Sequence, residues 1–130
     1  MNTRDKLQQK EVIDTVLMNF YSVYNELGYG FSKVVYQNAL YYALVDDGLK
    51  CEKEKLIKVY YNERLVGDYC VDLLVDDRII LKIETTEIDD IQQEIRLMNC
   101  LRATDIKIGY VLNFGVKAKY TRKENLNKRR

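Results

Sequence analysis

The chain has 130 residues, enough for one ordinary domain and too few for two. At 47% hydrophobic and 32% charged residues with a net charge of +1, it is expected to fold around a core. No apolar run reaches membrane-span length and no signal-peptide pattern follows Met1, so neither a membrane protein nor a secreted precursor is expected. Histidine is absent, which removes Ser-His-Asp and Cys-His nucleophilic machinery and histidine metal ligands. Cys51, Cys70 and Cys100 are scattered without CxxC spacing and read as reduced thiols of an intracellular, cytoplasmic protein.

In chain order, Ile13, Val16, Leu17, Phe20, Val23 and Leu27 recur at steps of three and four and predict an amphipathic helix closed by Gly28. A second helix is predicted from near Ser32, with Val35, Ala39, Leu40, Ala43 and Leu44 as its buried stripe and Gly48 at its end. The period then shortens. Strands are predicted at Leu56–Tyr61, Leu65–Val75 and Ile79–Thr86, joined by turns at 62–64 and 76–78. Asp89 or Asp90 is the N-cap candidate of a third helix whose inward residues are expected to be Ile91, Ile95, Met98 and Leu101. A strand at Ile106–Phe114 follows, and Val116–Thr121 is a candidate last strand. Hairpin-linked strands followed by a crossover helix predict an α/β fold, a mixed sheet of four to five strands flanked by three helices.

Residues 1–116 are expected to form the single domain and 117–130 a basic tail, with any part beyond a short strand disordered. The tail sets Lys117, Lys119, Arg122, Lys123, Lys128, Arg129 and Arg130 against Glu124, a balance of +6 that leaves −5 on the preceding 116 residues. It is either a solvated terminus or a strip that touches phosphate backbones. Cys70 and Cys100 fall at half-buried positions and read as small core residues. Eleven tyrosines are present. Tyr21 and Tyr24 on the first helix and Tyr41 and Tyr42 on the second read as core edges or as the contact of a homo-oligomer.

The hairpin of the second and third strands carries the chemistry. Val71, Leu73, Val75, Ile79, Leu81 and Ile83 form one alternating apolar set and are expected to share the core face, which requires Val75 to pair with Ile79. That register sets Asp72 opposite Lys82 on the other face, with Glu84 and Cys70 beside them. An ordinary cross-strand ion pair and a catalytic group are both compatible with this placement.

Three stretches together resemble the GxxExxY family of the PD-(D/E)XK nuclease-like superfamily. They are Leu27-Gly28-Tyr29-Gly30-Phe31 with Val35-Tyr36-Gln37-Asn38-Ala39-Leu40, then Val59-Tyr60-Tyr61 with Leu65-Val66-Gly67-Asp68-Tyr69 and Val71-Asp72-Leu73-Leu74-Val75-Asp76-Asp77, then Leu101-Arg102-Ala103-Thr104 with Gly109-Tyr110-Val111-Leu112-Asn113-Phe114-Gly115. The resemblance implies a restriction-endonuclease-like core and, in active members, carboxylates that hold Mg²⁺ beside a phosphate-binding lysine. Position by position the motif is degenerate. The expected glutamate after Gly30 is Lys33, the aspartate is present as Asp72, the E-x-K glutamate and lysine are Lys82 and Glu84, and the glutamine of the third helix is Arg96.

Three carboxylates and one lysine carry −2, whereas Lys33, Lys82 and Arg96 against Asp72 and Glu84 carry +1. A catalytically inactive binding or accessory protein is therefore expected, with DNA or RNA as the candidate partner. Lys33, Lys82 and Arg96 either hold a phosphate directly or neutralise the two acids in a salt-bridge cluster. No metal or other cofactor is expected. The alternative is a Mg²⁺-dependent nuclease with a rearranged site, Asp72 and Glu84 as ligands and Lys82 as phosphate holder. A structural homo-oligomer is the second alternative.

Overall fold

The computed structural model describes residues 3–86 and 91–126, with side chains described from residue 8. The N-cap candidates Asp89 and Asp90, and the tail residues Lys128, Arg129 and Arg130, lie outside the described residues.

The first amphipathic pattern forms α1 (Thr3–Leu27), with Val12, Ile13, Val16, Phe20 and Val23 buried along one stripe. Gly28 ends it at φ +74°, and its N–H donates to the Tyr24 carbonyl at 2.8 Å, a left-handed cap that glycine adopts without a Cβ clash. Ser32 precedes α2 (Lys33–Asp46), whose buried residues are Tyr36, Gln37, Leu40 and Leu44. Tyr36 and Gln37 thus join the predicted stripe, whereas Val35, Ala39 and Ala43 are only half-buried. The Tyr36 ring stacks on Phe114 at 4.6 Å and 15°, and Phe114 meets Phe20 edge-on at 4.8 Å and 82°. Such pairs add about 0.5–1.5 kcal/mol each beyond their buried area. They fix the rotation of α2.

Five strands follow: β1 (Cys51–Tyr61), β2 (Arg64–Val75), β3 (Ile79–Glu84), β4 (Ile108–Phe114) and β5 (Ala118–Glu124). They form one sheet in the order β1-β2-β3-β4-β5. β3 and β4 run parallel and the other neighbours antiparallel. α3 (Ile91–Arg102) supplies the crossover that parallel neighbours require. α1 and α2 cover one face through Leu73, Val75, Ile79, Leu81, Tyr110 and Leu112, and α3 covers the other through Leu74, Ile80 and Val111. The result is the mixed α/β sheet with three flanking helices that the element order predicted. No helix among the described residues is long and apolar enough to cross a membrane.

The predicted pairing of Val75 with Ile79 is present. The single apolar face is not. Val71 packs with the α3 cluster while Leu73 packs with α1 and α2. Glu54, opposite this point, has φ +54° and interrupts the β1–β2 pairing between Lys53↔Leu73 and Lys55↔Val71. The ladder between the two strands is irregular at this point, and side-chain parity does not carry across such an irregularity.

On α3 the buried residues are Leu97, Cys100 and Leu101, whereas Ile91 and Ile95 are 65% and 47% exposed. The predicted inward face is therefore rotated. The reason lies on β4, where Gly109 leaves a socket for Leu97: a Cβ there would sit 2.5 Å from Leu97 Cδ1 and 3.0 Å from the Ile80 carbonyl. Gly109→Ala is expected to cost about 1–3 kcal/mol by overpacking. Gly67→Ala, with nothing within 4 Å of the added Cβ, is expected to stay within about 0.5 kcal/mol of the parent. Urea midpoints at equal slope check both, and equal midpoints would remove Gly109 as the determinant of the helix's rotation.

Candidate functional site

Only three polar or charged residues among those described are buried: Gln37, Asp72 and Lys82. They lie together. The β2–β3 ladder pairs Leu73↔Leu81, Leu74↔Ile80 and Val75↔Ile79. Next to its end, the Asp72 side chain replaces a main-chain acceptor, and the Ile83 N–H donates to Asp72 Oδ2 at 2.7 Å. Asp72 Oδ1 faces two ammonium groups, Lys33 Nζ at 3.1 Å and Lys82 Nζ at 3.9 Å. Lys82 also donates to the Cys70 carbonyl at 3.3 Å.

The helical partner of this group is set by the aromatic packing already described. The Tyr36 hydroxyl donates to the Gly28 carbonyl and accepts from the Phe31 N–H, pinning the segment before α2. Lys33 opens the helix, and Gln37, one turn later, falls on the same side. Gln37 Nε2 reaches the Asp72 carbonyl oxygen at 3.4 Å. Sequence reasoning quoted Gln37 only as part of a motif. The available signal was an amide four residues after Lys33 within an otherwise apolar stripe.

Burial divides the two lysines. The side chains of Asp72 and Lys82 are 8% and 10% exposed, whereas that of Lys33 is 44% exposed. One anion between two cations leaves the group at +1, with the surplus charge carried toward solvent by Lys33.

Arg96, expected to face Asp72, is exposed on α3, and no hydrogen bond or ion pair joins it to Asp72. The rotation of α3 that seats Leu97 accounts for this, because the preceding residue is turned by about 100°. Glu84 is half-buried at the end of β3, opposite Asn113 of β4. It lines a cleft of about 30 Å³ with Thr86, Glu94, Val111, Asn113, Lys119 and Thr121, and neither Asp72 nor Lys82 belongs to that lining. Cys70, read as a half-buried core residue, is exposed, because it lies where the β1–β2 pair extends past β3. Cys51 and Cys100 are buried, and burial raises both thiols, Cys51 to about 11. Neither is a thiolate nucleophile near neutral pH.

Residues 10–125 match the sequence profile of the PD-(D/E)XK nuclease superfamily. The chain belongs to the PD-(D/E)XK nuclease superfamily. The match runs past residue 116 and takes in β5, so the basic residues Lys119, Arg122 and Lys123 sit within the family region, on a paired strand. The solved structure of SSO0001 shares the fold at a TM-score of 0.58 and 14% identity, over 72% of this chain and 50% of that one. The chain thus spans half the length of that protein. No curated protein matches the chain.

Catalytic members of the PD-(D/E)XK superfamily, as the sequence resemblance implied, use a hard divalent cation held by carboxylates. The side chains present do not fit one. Among the described residues, no three Cys, Asp or Glu are grouped to hold a metal. The Asp72 oxygens are engaged by Lys33, Lys82 and the Ile83 N–H. Two unit charges about 4 Å apart interact by roughly 4 kcal/mol at an effective dielectric of 20. A divalent ion beside Asp72 would meet about twice that repulsion from each neighbouring ammonium.

Proposed function

We propose that this chain is a non-cleaving, nucleic-acid-binding member of the PD-(D/E)XK superfamily, of the GxxExxY type. In it a lysine pair has replaced the cation that the fold otherwise holds with carboxylates. The carrying observation is the Lys33–Asp72–Lys82 group, one buried acid flanked by a buried and an exposed ammonium, with contacts of 3.1 and 3.9 Å. A phosphodiester approaching this surface meets the Lys33 head group and forms a charge-assisted hydrogen bond, while Asp72 keeps Lys82 in place. The arrangement positions a phosphate and supplies no carboxylate-held metal to activate water, so binding without hydrolysis is the chemistry it favours.

Fluorescence anisotropy with labelled single-stranded and duplex oligonucleotides, across a salt series, tests the reading. Affinity should fall steeply with salt, and Lys33→Gln should weaken it and reduce the salt slope by about one while melting stays close to the parent. No binding at low salt would overturn the proposal and leave the group as a structural salt-bridge cluster. Cleavage of plasmid or single-stranded substrate with Mg²⁺ or Mn²⁺, lost in Asp72→Asn, would overturn it in favour of a rearranged Asp72/Lys82/Glu84 nuclease.

A further inference from the structure

β1 and β2 remain paired for seven positions, from Lys55↔Val71 to Tyr61↔Arg64, past the point where β2 leaves β3. At about 3.3 Å per residue this is an arm roughly 20 Å long. Asn62 and Glu63, at φ +50° and +65°, close it with a two-residue turn. One face of the arm carries Ile57 and Tyr69, which pack against the α3 cluster. The opposite face carries the cross-strand pairs Leu56↔Cys70 and Lys58↔Asp68, and beyond a register shift between Val59 and Tyr60 the pair Tyr60↔Leu65 continues toward the tip. Every residue of those pairs is exposed, with Leu56, Tyr60 and Leu65 at 53%, 59% and 53%.

A two-stranded ribbon is marginal in water by itself, and this one displays apolar pairs on a face left exposed by the described residues. Charge selects what covers it. The pairs on this face hold one acid, Asp68, and one base, Lys58, a net of zero. A polyanion gains little from a neutral surface. An identical face, in contrast, offers apolar pairs to apolar pairs, and an Asp and a Lys to the Lys and the Asp.

We infer that this face of the β1–β2 arm is a self-association surface, covered in solution by the same face of a second copy of the chain. The contact is isologous, as a closed two-fold dimer requires. An arm about 20 Å long and two strands wide falls below the roughly 800 Å² per partner of a standard interface. The dimer is therefore weak and depends on concentration. This surface is distinct from the exposed Lys33 head group, and the inference stands independently of nucleic-acid binding.

Sedimentation equilibrium of the full chain over a concentration series tests it. The average mass should rise toward twice the monomer, and Tyr60→Lys or Leu65→Lys should weaken association at least about tenfold with circular dichroism unchanged. Lys58→Asp should weaken it as well, and adding Asp68→Lys should restore it, which a general loss of apolar area would not do. Alkylation of Cys70, the one exposed thiol of the three, should slow as concentration rises in the parent and not in Tyr60→Lys. A monomer up to roughly millimolar concentration, the weak limit of a specific contact, overturns the inference. So does a dimer indifferent to Tyr60→Lys and Leu65→Lys. A monomeric parent whose oligonucleotide affinity drops in Tyr60→Lys would also overturn it and assign the arm to nucleic acid.

Discussion

Asp72→Ala should destabilise the fold by about 3–5 kcal/mol, the cost of leaving a buried charge without its partner. Lys82 is 10% exposed, and its remaining acceptor would be the Cys70 carbonyl. The Ile83 N–H would also lose its acceptor inside the sheet. Domains of this kind are stable by roughly 5–15 kcal/mol in total, so much of that margin would go. Lys82→Met behaves differently. It fills similar space, and Asp72 keeps Lys33 at 3.1 Å and the Ile83 N–H, so a change of about 1 kcal/mol or less is expected. The double variant Asp72→Ala with Lys82→Met should recover a large part of the loss, since no buried charge is then left alone. Denaturant unfolding of the four proteins in one double-mutant cycle measures the coupling. An Asp72→Ala protein as stable as the parent would mean that Lys82 finds water, and that the group is an open surface pair.

The second large effect runs in the opposite chemical direction. Exchanging the charges, with Lys33→Glu, Lys82→Glu and Glu84→Lys together, places three carboxylates and one lysine at the four positions. Their sum changes from 0 to −2. The triple variant should bind Mg²⁺ or Mn²⁺ by isothermal titration where the parent gives no heat. Like charges crowded around Asp72 should lower its stability without metal, and the metal should restore it. At a hundredfold excess over the dissociation constant that restoration is about 2.7 kcal/mol, or on the order of 10 °C in melting temperature for a domain of this size. Metal binding by the unaltered protein at comparable affinity would refute the assignment of Lys33 and Lys82 to the place of the missing ligands. An indifferent triple variant would refute the geometry.

Local pattern reached far into this fold. The helical periods that end at Gly28 and Gly48, the turn after Val75 and the pairing with Ile79 were all readable, because each depends on neighbours within a few residues. The first strand was read too short. Cys51–Lys55 is dominated by charged residues, and its strand state comes from pairing with Leu73, Leu74 and Val75 rather than from its own pattern. The last strand was displaced for the same reason, since β5 is held in register by β4 from Ile108↔Glu124 to Phe114↔Ala118.

For the candidate site the division is sharper. Residue types and their alternation were enough to set Asp72 opposite Lys82, and the family resemblance added Lys33. Which of the five candidate residues meet was decided elsewhere: by Tyr36 stacked on Phe114, which turns Lys33 and Gln37 toward β2, and by the bare Cα of Gly109, which seats Leu97 and turns Arg96 out. Periodicity states that a helix has an inner face. The rotation of that face depends on the shape of the surface beneath it, and that surface is built from residues distant in the chain.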